Sequence, residues 1–238
     1  GMRDRYQKAI SSLEDGARFD QYTIIRLLGR GGMGAVYEAR HVTLDKNYAI
    51  KVLPEEFTAR KDALTRFENE ARVMAKLEHP NIVKVDDFRQ TDGLYWLRME
   101  LARGAGDGIV SLQNLADQHD GILEQSLLLD LMTDVLRGIA FAHGKGVIHR
   151  DLKPANILLF PKPGGGLTAK VSDYGLVKML GEEFLKSKVT TSVKLSMGGQ
   201  MPEDKKGTST RALLGTWEYM SPEQQRGGEV YARSDVYS

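Results

Sequence analysis

The stretch His149-Arg150-Asp151-Leu152-Lys153-Pro154-Ala155-Asn156 places a carboxylate, an ammonium and a carboxamide within six residues. Asp173-Tyr174-Gly175 adds a second carboxylate 22 residues after Asp151. Together these side chains suit the transfer of a highly charged group. Asp151 can accept a hydroxyl proton or orient the hydroxyl, Asn156 and Asp173 offer hard oxygen ligands for Mg²⁺, and Lys153 can neutralise charge on a moving phosphoryl. The competing reading is a charged turn between strands, and the other motifs, in order along the chain, weigh against it.

Upstream, Gly29-Arg30-Gly31-Gly32-Met33-Gly34 matches G-x-G-x-x-G, which alone fits an ordinary glycine-rich turn equally well. A dinucleotide site needs a helix directly after the glycines. Here Ala35-Val36-Tyr37-Glu38-Ala39-Arg40 reads as a strand, so the glycines become a hairpin tip whose backbone can approach phosphates closely. Lys51 lies among Tyr48, Ala49, Ile50, Val52 and Leu53, where an exposed lysine on a half-buried strand is the plain alternative. Glu70 falls on the apolar face of a helix with Phe67 and Met74, a costly place for a carboxylate unless it is paired. A Lys51–Glu70 pair would satisfy both groups and hold the ammonium near phosphates. His41, His79, His119 and His143 show no metal spacing, and His79 suits capping or packing.

These groups need a scaffold. Tyr22–Leu28, Ala35–Arg40, Tyr48–Leu53, Ile82–Phe88 and Leu94–Leu101 read as strands with short turns at Asp45–Asn47 and Gly93. Residues 60–77 and 124–143 have helical periodicity, and 3–15 form a weaker amphipathic helix ending at Gly16. Pro161–Gly166 is a hairpin loop. The first hundred residues are thus mainly sheet and the remainder begins helical, so two lobes joined near Met99–Ser111 are expected. Leu185–Thr216 has no aromatic residue, many hydroxyls, and six basic against two acidic residues, the composition of a mobile loop. The 238 residues carry 33 Lys+Arg against 32 Asp+Glu, a net charge of +1 that argues against a nucleic-acid binder. No membrane-length apolar run occurs, and the absence of cysteine removes disulfides and thiolate chemistry. A cytoplasmic location is expected, and Gly1 ahead of Met2 reads as a tag remnant.

In this order the motifs resemble the eukaryotic-like (Hanks-type) protein kinase family, and residues 29–41 resemble its bacterial Ser/Thr members. The resemblance runs from about Tyr22 to Ser238 and implies an α+β, bilobal fold. Residues 1–21 would be an N-terminal extension, 22–101 an N-lobe of five antiparallel strands and one helix, and 102–238 a partial, mainly helical C-lobe. It also implies ATP and Mg²⁺ in the cleft and protein substrates phosphorylated on Ser/Thr. Gly29, Gly31 and Gly34 would cover the phosphates, and Lys51, paired with Glu70, would hold them. Val36, Ala49 and Leu158 would sandwich the adenine, Met99 would be the gatekeeper, and Glu100 and Ala102 would offer backbone hydrogen bonds. Asn156 and Asp173 would bind Mg²⁺ and Asp151 would be the base, with Lys153 and Thr216 beside it. Arg150 would pair with a phosphate on the activation segment, with Thr190, Thr191, Thr208 and Thr210 as the sites.

Several features depart from the family pattern. Tyr174 replaces a phenylalanine and brings a hydroxyl that needs a partner, Ser221-Pro222-Glu223 replaces Ala-Pro-Glu, and 51 residues separate the two motifs inclusively. The C-lobe reads as incomplete at Ser238, where Asp235 would begin the central helix and brace the backbone at His149-Arg150. Exposed apolar side chains on the 124–143 helix, and self-association through them, are therefore expected, unless the polypeptide continues. The competing classes are an ATP-binding pseudokinase or regulatory scaffold, and an inactive truncated fragment.

Overall fold

A computed structural model describes residues 2–31, 34–54, 61–106, 108, 110–174 and 218–238, without the side chains of 2–5, 61–64, 66, 67 and 70. Helix α1 (Met2–Ser11) precedes a curled sheet of β1 (Arg18–Phe19), β2 (Tyr22–Gly31), β3 (Gly34–His41), β4 (Lys46–Val52), β5 (Val85–Thr91) and β6 (Leu94–Met99). The strand order is β1-β2-β3-β4-β6-β5, antiparallel throughout. The sheet therefore has six strands rather than five. The extra one is the two-residue β1, turned onto β2 through Asp20 in the left-handed region. Asp92-Gly93, both at positive φ, make the two-residue loop between β5 and β6, the turn whose twist matches paired strands.

The expected strand beginning at Ile82 starts instead at Val85. Ile82 and Val83 leave the sheet to meet Val171: Ile82 bridges it, and the Val83 N–H donates to its carbonyl at 2.9 Å. Between β5 and β4 in sequence lies α2 (Lys61–Met74), whose Ala71 and Met74 pack under the sheet.

Strand alternation divides this sheet into two buried faces. Ala49, Leu53, Leu97 and Met99 join the core shared with α2 and the helical half, whereas Ala35, Tyr37, Ala39, Tyr48, Ile50, Val52 and Trp96 form a second cluster on the opposite face. Tyr6 and Leu13 from the N-terminal segment cover that second cluster. Both faces are buried, so the sequence of β4 reads as almost continuously apolar, and Lys51 is buried with it rather than exposed.

The helical half contains α3 (Leu112–Gln118), α4 (Gln125–Gly144), a 3₁₀ turn at Pro154–Asn156, the hairpin β7 (Ile157–Pro161) and β8 (Leu167–Val171), α5 (Pro222–Gln225) and α6 (Ala232–Tyr237). Ser111 and Asn114 form a capping box at the start of α3. One stripe of α4, with Leu131, Val135, Ile139 and Ala142, enters the core, while Leu128, Leu129, Met132 and Leu136 are exposed. Among the described residues, no helix is long and apolar enough to cross a membrane.

The two halves are tied by the segment before β5. The Asn81 side chain donates to the Ala169 carbonyl at 3.1 Å, the Asn81 carbonyl accepts from Val171 N–H at 2.9 Å, and Asp134 of α4 accepts from Ala169 N–H at 3.1 Å. His79 has the packing role its surroundings suggest: its Nδ1 accepts from Asn81 N–H, and its ring stacks on Phe141 at 4.9 Å. Gly138 of α4 fits against this segment because it lacks a Cβ; one placed there would lie 2.6 Å from the Asn81 carbonyl oxygen.

Tyr174 sits in the core, 3% exposed, edge-on to His149 with ring centroids 4.7 Å apart. Its hydroxyl has no hydrogen-bond partner, so the partner anticipated for it is absent among the described residues. Burial, with the Asp235 carboxylate as a second cause, pushes this phenol well above its ordinary pKa.

Two stability predictions arise from these contacts. Gly138→Ala drives a methyl into backbone and is expected to destabilise by about 1–3 kcal/mol, whereas Gly144→Ala, with nothing within 4 Å, should be neutral or slightly stabilising. Thermal melts of the two variants should move in different directions or by clearly different amounts; equal shifts would contradict the close approach at Asn81. Tyr174→Phe removes an unsatisfied buried hydroxyl without changing the ring, and should stabilise by about 1 kcal/mol, read as a melting temperature roughly 2–4 °C higher. A lower melting temperature would show that the hydroxyl has a partner.

Candidate active site

The register of the sheet brings the glycine-rich turn and the lysine together. Gly29 pairs with Val36, Val36 with Lys51, and Lys51 with Leu97, forming one row across four strands. The next row sets Ala49 opposite Met99, so Val36, Ala49, Lys51 and Met99 share the inner face. Leu158 reaches the same core from β7 of the helical half, which brings the three residues expected to sandwich an adenine into one cluster. Gly31 pairs with Gly34, which has a positive φ, and a Cβ on Gly34 would lie 2.0 Å from the Val52 carbonyl oxygen. Glycine is required there on both counts. Gly32 and Met33 lie outside the described residues.

Lys51 is 4% exposed, and its Nζ is 2.8 Å from Asp173 Oδ2. The expected partner, Glu70, has a side chain outside the described residues, so the ion pair in view is the one to Asp173. A buried ammonium needs such a counter-charge, and Asp173 supplies it from the other half of the molecule. Asp173 itself is in the left-handed region at φ 64°, which turns its carboxylate away from the strand direction of β8.

The catalytic-loop residues converge around Asp151. Lys153 Nζ lies 3.1 Å from Asp151 Oδ2, and the Asn156 amide donates to the Asp151 carbonyl at 2.7 Å. The loop is held from behind. The Asp235 carboxylate accepts from the backbone N–H groups of His149 and Arg150, each at 2.8 Å, and is 2.8 Å from His143 Nε2. The expected brace is thus present, in a helix that begins at Ala232, three residues before Asp235.

His149, wholly buried, uses both ring nitrogens: Nδ1 accepts from Asp151 N–H at 3.1 Å and Nε2 donates to the Ser172 carbonyl at 2.7 Å. These two bonds select the neutral tautomer with its proton on Nε2. They link the residue before Asp173 to Asp151, and Ser172 returns the tie by donating from its N–H and hydroxyl to the Asn156 carbonyl.

Two positioning residues escaped the sequence analysis. Gln224 donates its side-chain amide to the Arg150 carbonyl at 2.7 Å. Ser221, fully buried, forms a reciprocal capping box with Gln224 at the start of α5. The signal was present as Ser-Pro-Glu-Gln, with Ser and Gln at capping-box spacing. Glu223 finds the Ser234 hydroxyl as its partner. Arg150 is at φ 72°, and its guanidinium forms no ion pair among the described residues. Thr190, Thr191, Thr208, Thr210 and Thr216, and with them the mobile loop expected over Leu185–Thr216, lie outside those residues.

At the junction between halves, Glu100 N–H donates to the Lys84 carbonyl at 3.0 Å, so any contact of its backbone with a ligand would use its carbonyl. The Glu100 side chain accepts from Lys84 N–H and from Lys170 Nζ, which also lies over the Phe160 ring. Ala102 is half-buried in the same connection. Among the described residues, no group of three or more His, Cys, Asp or Glu side chains could hold a metal by itself. Asn156 and Asp173 still suit a hard cation whose remaining ligands are phosphate oxygens and water. The Asn156 nitrogen faces Asp151, which leaves its oxygen for such an ion.

Comparison with known proteins agrees with this geometry. The protein kinase domain profile matches residues 22–238. The chain is 34% identical over 220 residues to the probable serine/threonine-protein kinase PknB of Lactococcus lactis, covering 92% of this chain and 30% of that protein. Serine/threonine-protein kinase pkn3 of Myxococcus xanthus is 35% identical over 92% of this chain and 36% of its own length. For PknJ of Mycobacterium tuberculosis the figures are 35%, 95% and 33%. The chain thus spans about a third of the length of these curated relatives. The crystal structure of the Mycobacterium tuberculosis PknI kinase domain superposes with a TM-score of 0.62 at 27% identity, covering 93% of this chain and 72% of that one. By sequence, topology and the constellation around Asp151, this chain belongs to the protein kinase domain family and resembles its bacterial serine/threonine kinases.

Proposed function

We propose that the domain is an ATP-dependent protein serine/threonine kinase in which Asp151 receives the proton of the acceptor hydroxyl. The observation that supports this best is the convergence of Asp151, Lys153 and Asn156 on one side of the cleft, with Lys51 reaching Asp173 across it. Lys51 contacts the α- and β-phosphates, and Gly29, Gly31 and Gly34 let the backbone of the β2–β3 turn approach the phosphate chain. Val36, Ala49 and Leu158 enclose the adenine, with Met99 at its edge and Glu100 and Ala102 supplying backbone contacts. Asn156 and Asp173 hold Mg²⁺, which neutralises charge on the phosphates. The acceptor oxygen attacks the γ-phosphorus, its proton passes to Asp151, and the bond to the bridging oxygen breaks to leave ADP. Lys153 offsets the charge spread over the moving phosphoryl.

Regulation belongs to the same reading. Arg150 precedes the base, and its guanidinium is a ready partner for phosphate, which carries about −1.5 to −2 charge at neutral pH. Thr190, Thr191, Thr208 and Thr210 are the proposed acceptors, and Glu70 is a proposed second partner of Lys51 once that loop is engaged. The exposed Leu129 and Leu136 of α4 support self-association as a further part of the proposal.

Replacing the base should separate chemistry from binding. Asp151→Asn is expected to lower turnover by about 10²–10⁴-fold while leaving Mg²⁺-ATP affinity within a small factor. Asp173→Asn should weaken Mg²⁺-ATP binding itself. Titration calorimetry alongside a phosphotransfer assay reads both quantities, and unchanged turnover in the Asp151 variant of an active parent rejects the assignment. Incubation with Mg²⁺-ATP should place phosphate on Thr190, Thr191, Thr208 or Thr210 by peptide mass mapping. An active protein unmodified between residues 185 and 216 would refute the regulatory part alone.

A further inference from the structure

Helix α1 lies ahead of the segment that matches the kinase profile, yet it is built into the lobe that carries Lys51. Tyr6 is buried against the aromatic face of the sheet, and its hydroxyl donates to the backbone carbonyl of Leu53 at 2.9 Å, a contact spanning 47 residues. Leu53 is the residue at which β4 stops being a strand. Its neighbour Val52 is the last to pair with β3 and β6, and the Leu53 N–H reaches back to the Tyr95 carbonyl at 2.8 Å. The Leu53 side chain points to the opposite face, into the core with Ala71 and Met74 of α2. Gly34 closes against the Val52 carbonyl beside it. Three features therefore meet at Val52–Leu53: the end of the glycine-rich turn, the strand β6, and the Tyr6 hydroxyl. Lys51 is one residue before this junction.

We propose that Tyr6 is a positioning residue for ATP binding. Its hydroxyl fixes the Leu53 carbonyl, where ladder pairing has ended, and so fixes the height of Lys51 and of the Gly34 turn relative to the phosphates. Tyr6 touches no nucleotide and acts through those two neighbours. The proposal rests on the reading of Lys51 as the phosphate contact. A simple structural staple would stabilise the fold without altering nucleotide affinity, and this difference can be measured. Leu13 provides the control, because it is buried in the same cluster as Tyr6 and no hydrogen bond links its side chain to the end of β4.

The test uses the full 238-residue chain, with Mg²⁺-ATP titrated calorimetrically into wild type, Tyr6→Phe and Leu13→Ala, and with melts recorded for each. Tyr6→Phe is expected to melt cooperatively and to raise Kd for Mg²⁺-ATP by about three- to tenfold, the scale of one buried hydrogen bond. In turnover measurements KM for ATP should rise by the same factor, with kcat within about twofold. Leu13→Ala should lower the melting temperature at least as much while leaving Kd unchanged. Equal Kd for Tyr6→Phe and wild type overturns the proposal, and so does a Leu13→Ala variant that loses affinity to the same degree. Failure of wild type to bind Mg²⁺-ATP would overturn the kinase reading and this inference together, whereas normal wild-type binding with an unaffected Tyr6→Phe overturns this inference alone.

Discussion

One carboxylate, that of Asp235, sets the shape of the catalytic loop. Its two oxygens take the consecutive N–H groups of His149 and Arg150, and a loop held at two successive amides has little freedom to change its backbone path. Arg150 sits in the left-handed region, which costs a non-glycine residue about 1–2 kcal/mol, and this pinning offsets the cost. Gln224 takes the Arg150 carbonyl from the other side, so the peptide units flanking that strained residue are engaged on both polar edges. Asp151 then projects from a segment with no slack, and His149 passes the constraint on to Ser172 and hence to Asp173. Asp151 and Asp173 are thereby coupled through the His149 ring, which bonds the Asp151 N–H on one side and the Ser172 carbonyl on the other.

Much of this was legible in the sequence because the chemistry is local. Eight consecutive residues contain Asp151, Lys153 and Asn156, and the period-two strands that carry Val36 and Lys51 follow directly from their apolar pattern. Asp235 could be assigned its bracing role because it occurs in order after the other motifs. What escaped was long-range or dual in character. The ion pair between Lys51 and Asp173 could not be read from spacing, since a buried ammonium accepts any carboxylate that topology delivers, and Asp173 is 122 residues away. Ser221, read as a departure from a motif, is also a helix cap, and Gln224, which no motif singled out, reaches the Arg150 carbonyl. Ile82 and Val83 read as strand because they are β-branched, yet tertiary pairing with Val171 takes them out of the sheet.

The connection between the lobes shows a similar economy of groups. Glu100 belongs to the segment joining the sheet to the helical half, and its carboxylate gathers Lys170 from β8 and the backbone of Lys84 before β5. Asn81 and Asp134 hold Ala169, one residue earlier in β8. The strand leading to Asp173 is thus gripped by the linker, by the segment after α2, and by α4. Movement of any of these would be felt at the Asp173 carboxylate, because β8 has so few residues over which to absorb a displacement.

The row that runs Gly29, Val36, Lys51, Leu97 across the sheet has a consequence for how errors in folding are handled. A slip of β4 by one residue would swing the Lys51 ammonium into the aromatic layer beneath α1 and bring an isoleucine or valine to the cleft, at the cost of a buried unpaired charge. The register that turns Lys51 toward Asp173 is the one that leaves no charge stranded in the aromatic layer, so packing and the geometry of the cleft select the same pairing as the sheet forms.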